Sequence, residues 1–242
     1  MSRILVLQNG HHLGDNIINF IFFNKIKDYI EENNIIIHYH CLEKYHNNLT
    51  EFNCSKNIII KDWENKGYIL WQGGNTPHQN CIEDKLCGMF NIFLKDAAIP
   101  LSVNSFEYQD PELFTRYENL DDKYKNIDIL VINSTPLSSQ YNYSKEIWND
   151  FIIRLNQKYL VAVTEKVNDN ILSLHDMSVK NIAALALKVK KIIAINTGPS
   201  IPLYNTDILN SVEVIYLFGG CGHHKTRKIQ QLDKLNQLSF LL

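Results

Sequence analysis

The chain has 242 residues, 45% hydrophobic and 21% charged, with a formal net charge of -2. This is ordinary globular composition, long enough for one large domain or two small ones, each with its own core. The charge balance excludes the basic field of a nucleic-acid-binding surface. The most apolar run, Ile17 to Phe23, is broken by Asn19 and is too short to cross a bilayer. The five cysteines lack framework spacing and Met1-Ser2-Arg3 opens no signal peptide. They read as free thiols in a reducing compartment. The expectation is a cytoplasmic protein with at most peripheral membrane contact.

The opening stretch sets the pattern. Ile4-Leu5-Val6-Leu7 is apolar on both faces, as a strand between helix layers is. The loop Gln8-Asn9-Gly10-His11-His12-Leu13-Gly14-Asp15 follows, then a helix with Ile18, Phe22, Ile26 and Ile30 on one face. Asp15 stands where an N-cap belongs. Further strands are predicted over 34–39, 57–60 and 68–71. A Gly73-Gly74-Asn75 loop with Pro77 comes next, then a helix over 82–97 stopped by Pro100. Residues 99–108 read as extended. Gln109 to Asn126 is polar and charged, and reads as a linker between the halves 1–110 and 127–242.

The second half repeats the rhythm. Strands are predicted over 127–132, 159–163, 192–195 and 212–218. Helices are predicted over 144–157, with Ile147, Phe151 and Leu155 inward, over 179–189, and over 225–238. Strands alternating with helices imply parallel sheets with right-handed crossovers. The fold class is therefore α/β, two Rossmann-like domains facing a cleft.

Three loops carry candidate chemistry. A carboxylate at Asp15 can cap a helix or take a proton from an attacking hydroxyl, and the helix dipole would keep its pKa low. Asn196-Thr197-Gly198-Pro199-Ser200 follows a strand and opens a helix at Pro199. Backbone N–H groups and hydroxyls there suit a phosphate, or the segment is a plain turn. Asn133-Ser134-Thr135-Pro136-Leu137-Ser138-Ser139 also follows a strand and is rich in hydroxyls, suited to phosphate or sugar, or a polar Pro turn. Gly10-His11-His12 and Gly222-His223-His224, with Lys225, could donate to phosphate or sugar hydroxyls. No histidine or cysteine spacing matches a zinc site, so no metal is expected. No Asp-x-Asp occurs, which favours leaving-group stabilisation by dipoles and cations. The Gly-x-Gly-x-x-Gly dinucleotide fingerprint is missing after every strand.

In order along the chain, these features resemble the ADP-heptose:lipopolysaccharide heptosyltransferases of glycosyltransferase family 9. The matching segments are Leu13-Gly14-Asp15-Asn16-Ile17-Ile18, Ala98-Ile99-Pro100-Leu101, the segment from Asn133 to Leu155, Asp176 to Leu185, Thr197-Gly198-Pro199 and Val214 to Gly219. The resemblance implies a GT-B fold, with the acceptor sugar on the first domain and the nucleotide sugar on the second. It implies Asp15 as the base of an inverting, metal-independent transfer to a glycan or glycolipid hydroxyl. The nucleotide sugar would be the donor substrate, with no cofactor and no nucleic acid partner. Ser134, Thr135, Asn196, Thr197, Gly198, Pro199 and Ser200 fall on the donor side. His11, His12, Gly14, His223, His224 and Lys225 are candidate phosphate or sugar contacts. The chain departs from the family pattern at Asn196, at Ile201 and in lacking a lysine near Ser139 to Tyr143. Two other readings stay open: a polysaccharide pyruvyl transferase-like enzyme, which shares the Leu-Gly-Asp opening, and a non-catalytic sugar- or nucleotide-binding relative.

Overall fold

A computed structural model describes residues 2–70, 81–137, 141–220 and 224–242. The chain divides into two compact units, Met1–Glu107 and Tyr108–Leu242.

In the first unit the apolar opening run becomes β1 (Arg3–Asn9), followed by α1 (Leu13–Lys25) and α2 (Lys27–Glu32). Then come β2 (Ile35–Cys41), α3 (His46–Phe52), β3 (Ile58–Asp62) and α4 (Ile82–Asp96). The sheet runs in the order β1-β2-β3, all parallel. The strand expected over 68–71 is reduced to one bridge: Tyr68 pairs with Leu7, on the side of β1 away from β2. Trp71 and the Gly73 to Pro77 loop lie outside the described residues. The turn into that bridge needs Gly67. Its φ is +98°, and an added Cβ would sit 2.4 Å from the Val6 carbonyl oxygen.

The single helix expected to Ile30 breaks at Ile26, whose N–H turns back to the Phe23 carbonyl. Ile26 and Ile30 stay buried across the break. Nor is α1 apolar on one face only. Asn16 to Phe23 are all buried, because α3 packs on it as well as the sheet, and because Phe22 stacks on Phe90 of α4 at 4.6 Å.

Helix α4 ends before Pro100 acts. Ala98 takes φ +44°, its N–H bonds to Lys95 O, and Ile99 N–H bonds to Leu94 O. This is a Schellman ending with alanine in the position glycine prefers. Alanine in the left-handed region costs about 1–2 kcal/mol, partly offset by glycine's greater unfolded-state freedom. Ala98→Gly is therefore expected to stabilise the first unit by about 0.5–1 kcal/mol, read as a higher urea midpoint. A lower midpoint would contradict that account of the helix end.

The second unit opens inside the segment read as a linker. Residues 113–118 form α5 (Leu113–Glu118), and Leu113 and Tyr117 are buried in the core of this unit. The charged run hid two inward residues one helical turn apart. Asp110 and Lys180 form a buried ion pair at 2.8 Å, which ties the same segment to the main body of the unit.

The remaining elements are β4 (Ile129–Ile132), α6 (Lys145–Leu155), β5 (Val161–Val163), β6 (Leu172–Ser173), α7 (Val179–Ala186), β7 (Lys191–Ile195), α8 (Thr206–Ser211), β8 (Val214–Phe218) and β9 (Ile229–Leu232). Two 3-10 segments, Gly198–Tyr204 and Leu235–Leu241, complete the unit. The sheet order is β6-β5-β4-β7-β8-β9, parallel throughout. This is the doubly wound Rossmann order, with the connection reversing direction between β4 and β7.

Alternate residues of β4 enter two different cores. Leu130 and Ile132 pack with α5, α7 and α8, whereas Ile129 and Val131 pack with α6 and the C-terminal segment. Helix α6 turns Trp148, Phe151, Ile152 and Leu155 inward, while Ile147 is 61% exposed. The large Trp148 displaces Ile147 from the expected inward face. The helix expected over 225–238 is instead β9 and a 3-10 segment. Its residues 229–232 complete the sheet beside β8, a long-range pairing that outweighs the local helical spacing. No described helix is long and apolar enough to cross a membrane.

Candidate active site

In an open α/β sheet, ligands bind beyond the carboxyl ends of the strands, where the strand order reverses. In the second unit that point lies between β4 and β7, with Ile132 beside Ala194 in register. The two loops leaving these strands are Asn133-Ser134-Thr135 and Asn196-Thr197-Gly198-Pro199-Ser200. Topology thus brings together the donor-side candidates that lay sixty residues apart in sequence.

Each loop is built on an asparagine. Asn133 is buried, and its Oδ1 accepts from Glu165 N–H at 2.8 Å while its Nδ2 donates to Glu165 O at 3.0 Å. Its N–H donates to the Thr164 hydroxyl, which lies 3.0 Å from Ser134 Oγ. The Glu165 carboxylate receives the Thr135 N–H at 2.7 Å and the Thr135 hydroxyl at 3.2 Å. Asn196 spans the gap to the next strand, its N–H donating to Phe218 O and its Nδ2 to Gly219 O. Thr164 and Glu165 were missed in the sequence. The available signal was a polar residue directly after each buried strand.

The Thr197 turn differs from expectation in one respect. The segment from Gly198 is a 3-10 helix rather than an α-helix, and its hydroxyls bond inward. Thr197 Oγ1 donates to Ile195 O at 3.2 Å, and Ser200 Oγ donates to Thr197 O at 2.8 Å while accepting from Thr197 N–H. Ser200 is buried. Both side chains stiffen the turn instead of reaching outward. Gly198 and Pro199 remain partly exposed at its surface.

His224 packs on Tyr204, at the end of the same 3-10 helix, with its Nδ1 3.2 Å from the tyrosine hydroxyl. Lys225 beside it is exposed. Ser138, Ser139, Gly222 and His223 lie outside the described residues.

In the first unit the candidate residues lie in the loop from β1 to α1 and the first turn of that helix. Asp15 is not the N-cap. His12 holds that position with extended backbone, and Leu13 and Gly14 already belong to the helix. Asp15 sits in the first turn, where its carboxylate reaches back to the His12 backbone N–H. Burial pushes its pKa up, against the lowering influence of His12, His11 and that hydrogen bond. The direction is opposite to the dipole-based expectation, because desolvation dominates. His11 and His12 are exposed. The Trp63 indole lies against Gly10, where an added Cβ would come within 2.8 Å of the ring. Among the described residues, no group of three or more His, Cys, Asp or Glu side chains could hold a metal ion.

This chain has a heptosyltransferase-like glycosyltransferase fold. It resembles the glycosyl transferase family 9 structure from Veillonella parvula with a TM-score of 0.54 at 12% identity, covering 99% of this chain and 90% of that one. Against Escherichia coli heptosyltransferase WaaC with ADP the TM-score is 0.56 at 10% identity, covering 94% and 90%. Against E. coli ADP-heptose lps heptosyltransferase II it is 0.52 at 9% identity, covering 96% and 90%. WaaC has also been solved with ADP-2-deoxy-2-fluoro heptose. No family model and no curated protein sequence matches this chain.

Proposed function

We propose that the protein is an inverting, metal-independent glycosyltransferase that moves a sugar from a nucleotide sugar to a glycan or glycolipid hydroxyl. The observation that carries this is the Rossmann sheet of the second unit, whose two candidate loops flank its reversal point. Similar structures hold ADP or an ADP-sugar, which supports a nucleotide sugar as ligand.

In this reading the second unit takes the donor and the first takes the acceptor. Asp15 removes the proton from an acceptor hydroxyl, whose oxygen forms a bond to the anomeric carbon. The bond from that carbon to the nucleotide oxygen breaks on the opposite face, so the configuration inverts. The nucleoside diphosphate leaves with the electron pair, and its charge falls near the Gly198 turn, with Lys225 as a candidate cation. Fixed dipoles and cations then take the part a metal would play. The free thiols at Cys41, Cys54 and Cys81 suit a reducing, cytoplasmic setting.

One observation favours a second reading. The Thr197 and Ser200 hydroxyls are taken up within their own turn, which fits a non-catalytic sugar- or nucleotide-binding protein. The two readings separate in a screen of nucleotide sugars for release of nucleoside diphosphate, with binding followed by calorimetry. Release with at least one donor is expected. Binding without release would favour the second reading, and no binding to any nucleotide would sink both.

A further inference from the structure

We propose that the Tyr39 hydroxyl positions Asp15, acting through Asn16 on the backbone of His12.

Tyr39 lies on β2, fully buried, against α1. Its hydroxyl accepts from Asn19 Nδ2 at 2.7 Å and donates to Asn16 Oδ1 at 2.8 Å. The Asn9 side chain lies nearby, but its buried Nδ2 makes no hydrogen bond to that hydroxyl. Asn16 passes the constraint on. Asn16 Nδ2 donates to the His12 carbonyl at 2.8 Å, and Asn9 Oδ1 accepts the His11 N–H at 2.9 Å. His12 in turn gives its N–H to the Asp15 carboxylate. The chain of bonds starts in the core and ends at the residue assigned as base.

A satisfied polar cluster that only holds the core together is the simpler explanation. Two features argue against it. Between Asn16 and Phe23, α1 buries only isoleucine and phenylalanine apart from Asn16 and Asn19, so apolar residues would fill those places without desolvating amides. The arm through Asn16 also ends on a main-chain atom of His12, the residue at the N-cap of the Asp15 helix. Asn16 is bonded at both ends of its amide, and a satisfied buried amide rigidifies what it holds.

A base must be held so that its oxygen meets the acceptor hydroxyl, which a loose loop would not achieve. Besides Tyr39, the titratable groups that act on Asp15 are His11 and His12. Cys41 stands behind Tyr39 on the same strand. Tyr39 is thus a positioning residue, and its meaning for catalysis rests on Asp15 being the base. The linkage itself needs no substrate to be tested.

The experiment follows the Asp15 carboxyl carbon by NMR across a pH titration of the labelled protein, assigned by loss of its signal in Asp15→Asn. In the wild type the midpoint should lie above that of an ordinary aspartate. In Tyr39→Phe and in Asn16→Ala it should fall toward the ordinary value as the turn loosens and admits water. Asn91→Ala is the control. Asn91 bonds both ways to the Val103 backbone in the same unit, and its loss should leave Asp15 unmoved. An unchanged midpoint in a folded Tyr39→Phe or Asn16→Ala protein would overturn the proposal, and so would an equal shift in the control. Should neither variant fold, amide exchange in the wild type decides. Slow exchange at His12 supports the linkage, and free exchange there rejects it. Failure of the transferase screen with a normal titration result would remove the catalytic meaning and leave the linkage intact.

Discussion

Asp15→Asn is expected to lower glycosyl transfer by about 10²–10⁴-fold, the range a positioned general base supplies. The substitution keeps shape and removes the site that accepts the proton. Because Asp15 acts unprotonated, wild-type kcat/KM should rise with pH through its pKa. Burial places that rise above the pH of an ordinary aspartate. Nucleotide binding should survive the substitution, since Asp15 belongs to the first unit and the loops proposed for the donor to the second. The measurement is the rate against pH for both proteins with any donor found to be turned over. Equal rates would remove Asp15 from the role of base.

Lys180→Met is expected to destabilise the second unit by about 3–5 kcal/mol, the cost of breaking a buried pair and stranding its partner. The side chains of Lys180 and Asp110 are 7% and 5% exposed. Burial alone would push the Asp110 pKa up, but the bonds from Lys180 and from the Tyr108 hydroxyl outweigh it and hold it low. A carboxylate held low stabilises the fold above the unfolded pKa, about 3.9, and this contribution disappears as pH falls through the folded value. The difference between wild type and Lys180→Met should therefore be full at neutral pH and shrink under acid conditions. Denaturant unfolding at pH 7 and pH 3 measures it. A loss under about 1 kcal/mol at neutral pH would mean the pair is effectively hydrated.

Much of this architecture could be read from residues close together in sequence. The runs Ile4 to Leu7, Ile129 to Ile132 and Ile192 to Ile195 are apolar on both faces, and each is a strand of a parallel sheet. Ser144 bonds to Ile147 N–H and starts α6 where its sequence suggests. What escaped depends on partners far along the chain. β9 exists because β8 offers it an edge, not because residues 229–232 favour a strand. The bonds from Asn133 to Thr164 and Glu165 cross some thirty positions and join two strand ends. The cap was misplaced for a local reason: Gly10-His11-His12 carries none of the side chains that mark a helix start, so the nearest carboxylate looked like the cap. The raised pKa of Asp15 was hidden as well, because desolvation depends on packing around it.

The central claim is that the two loops at the reversal point of the second sheet hold a nucleoside diphosphate. A diffraction structure of the protein with ADP or another nucleoside diphosphate tests it most directly. The account predicts a diphosphate against the Thr197-Gly198 turn, beyond the carboxyl ends of β4 and β7. A nucleotide bound at any other surface, with those loops empty, would contradict it.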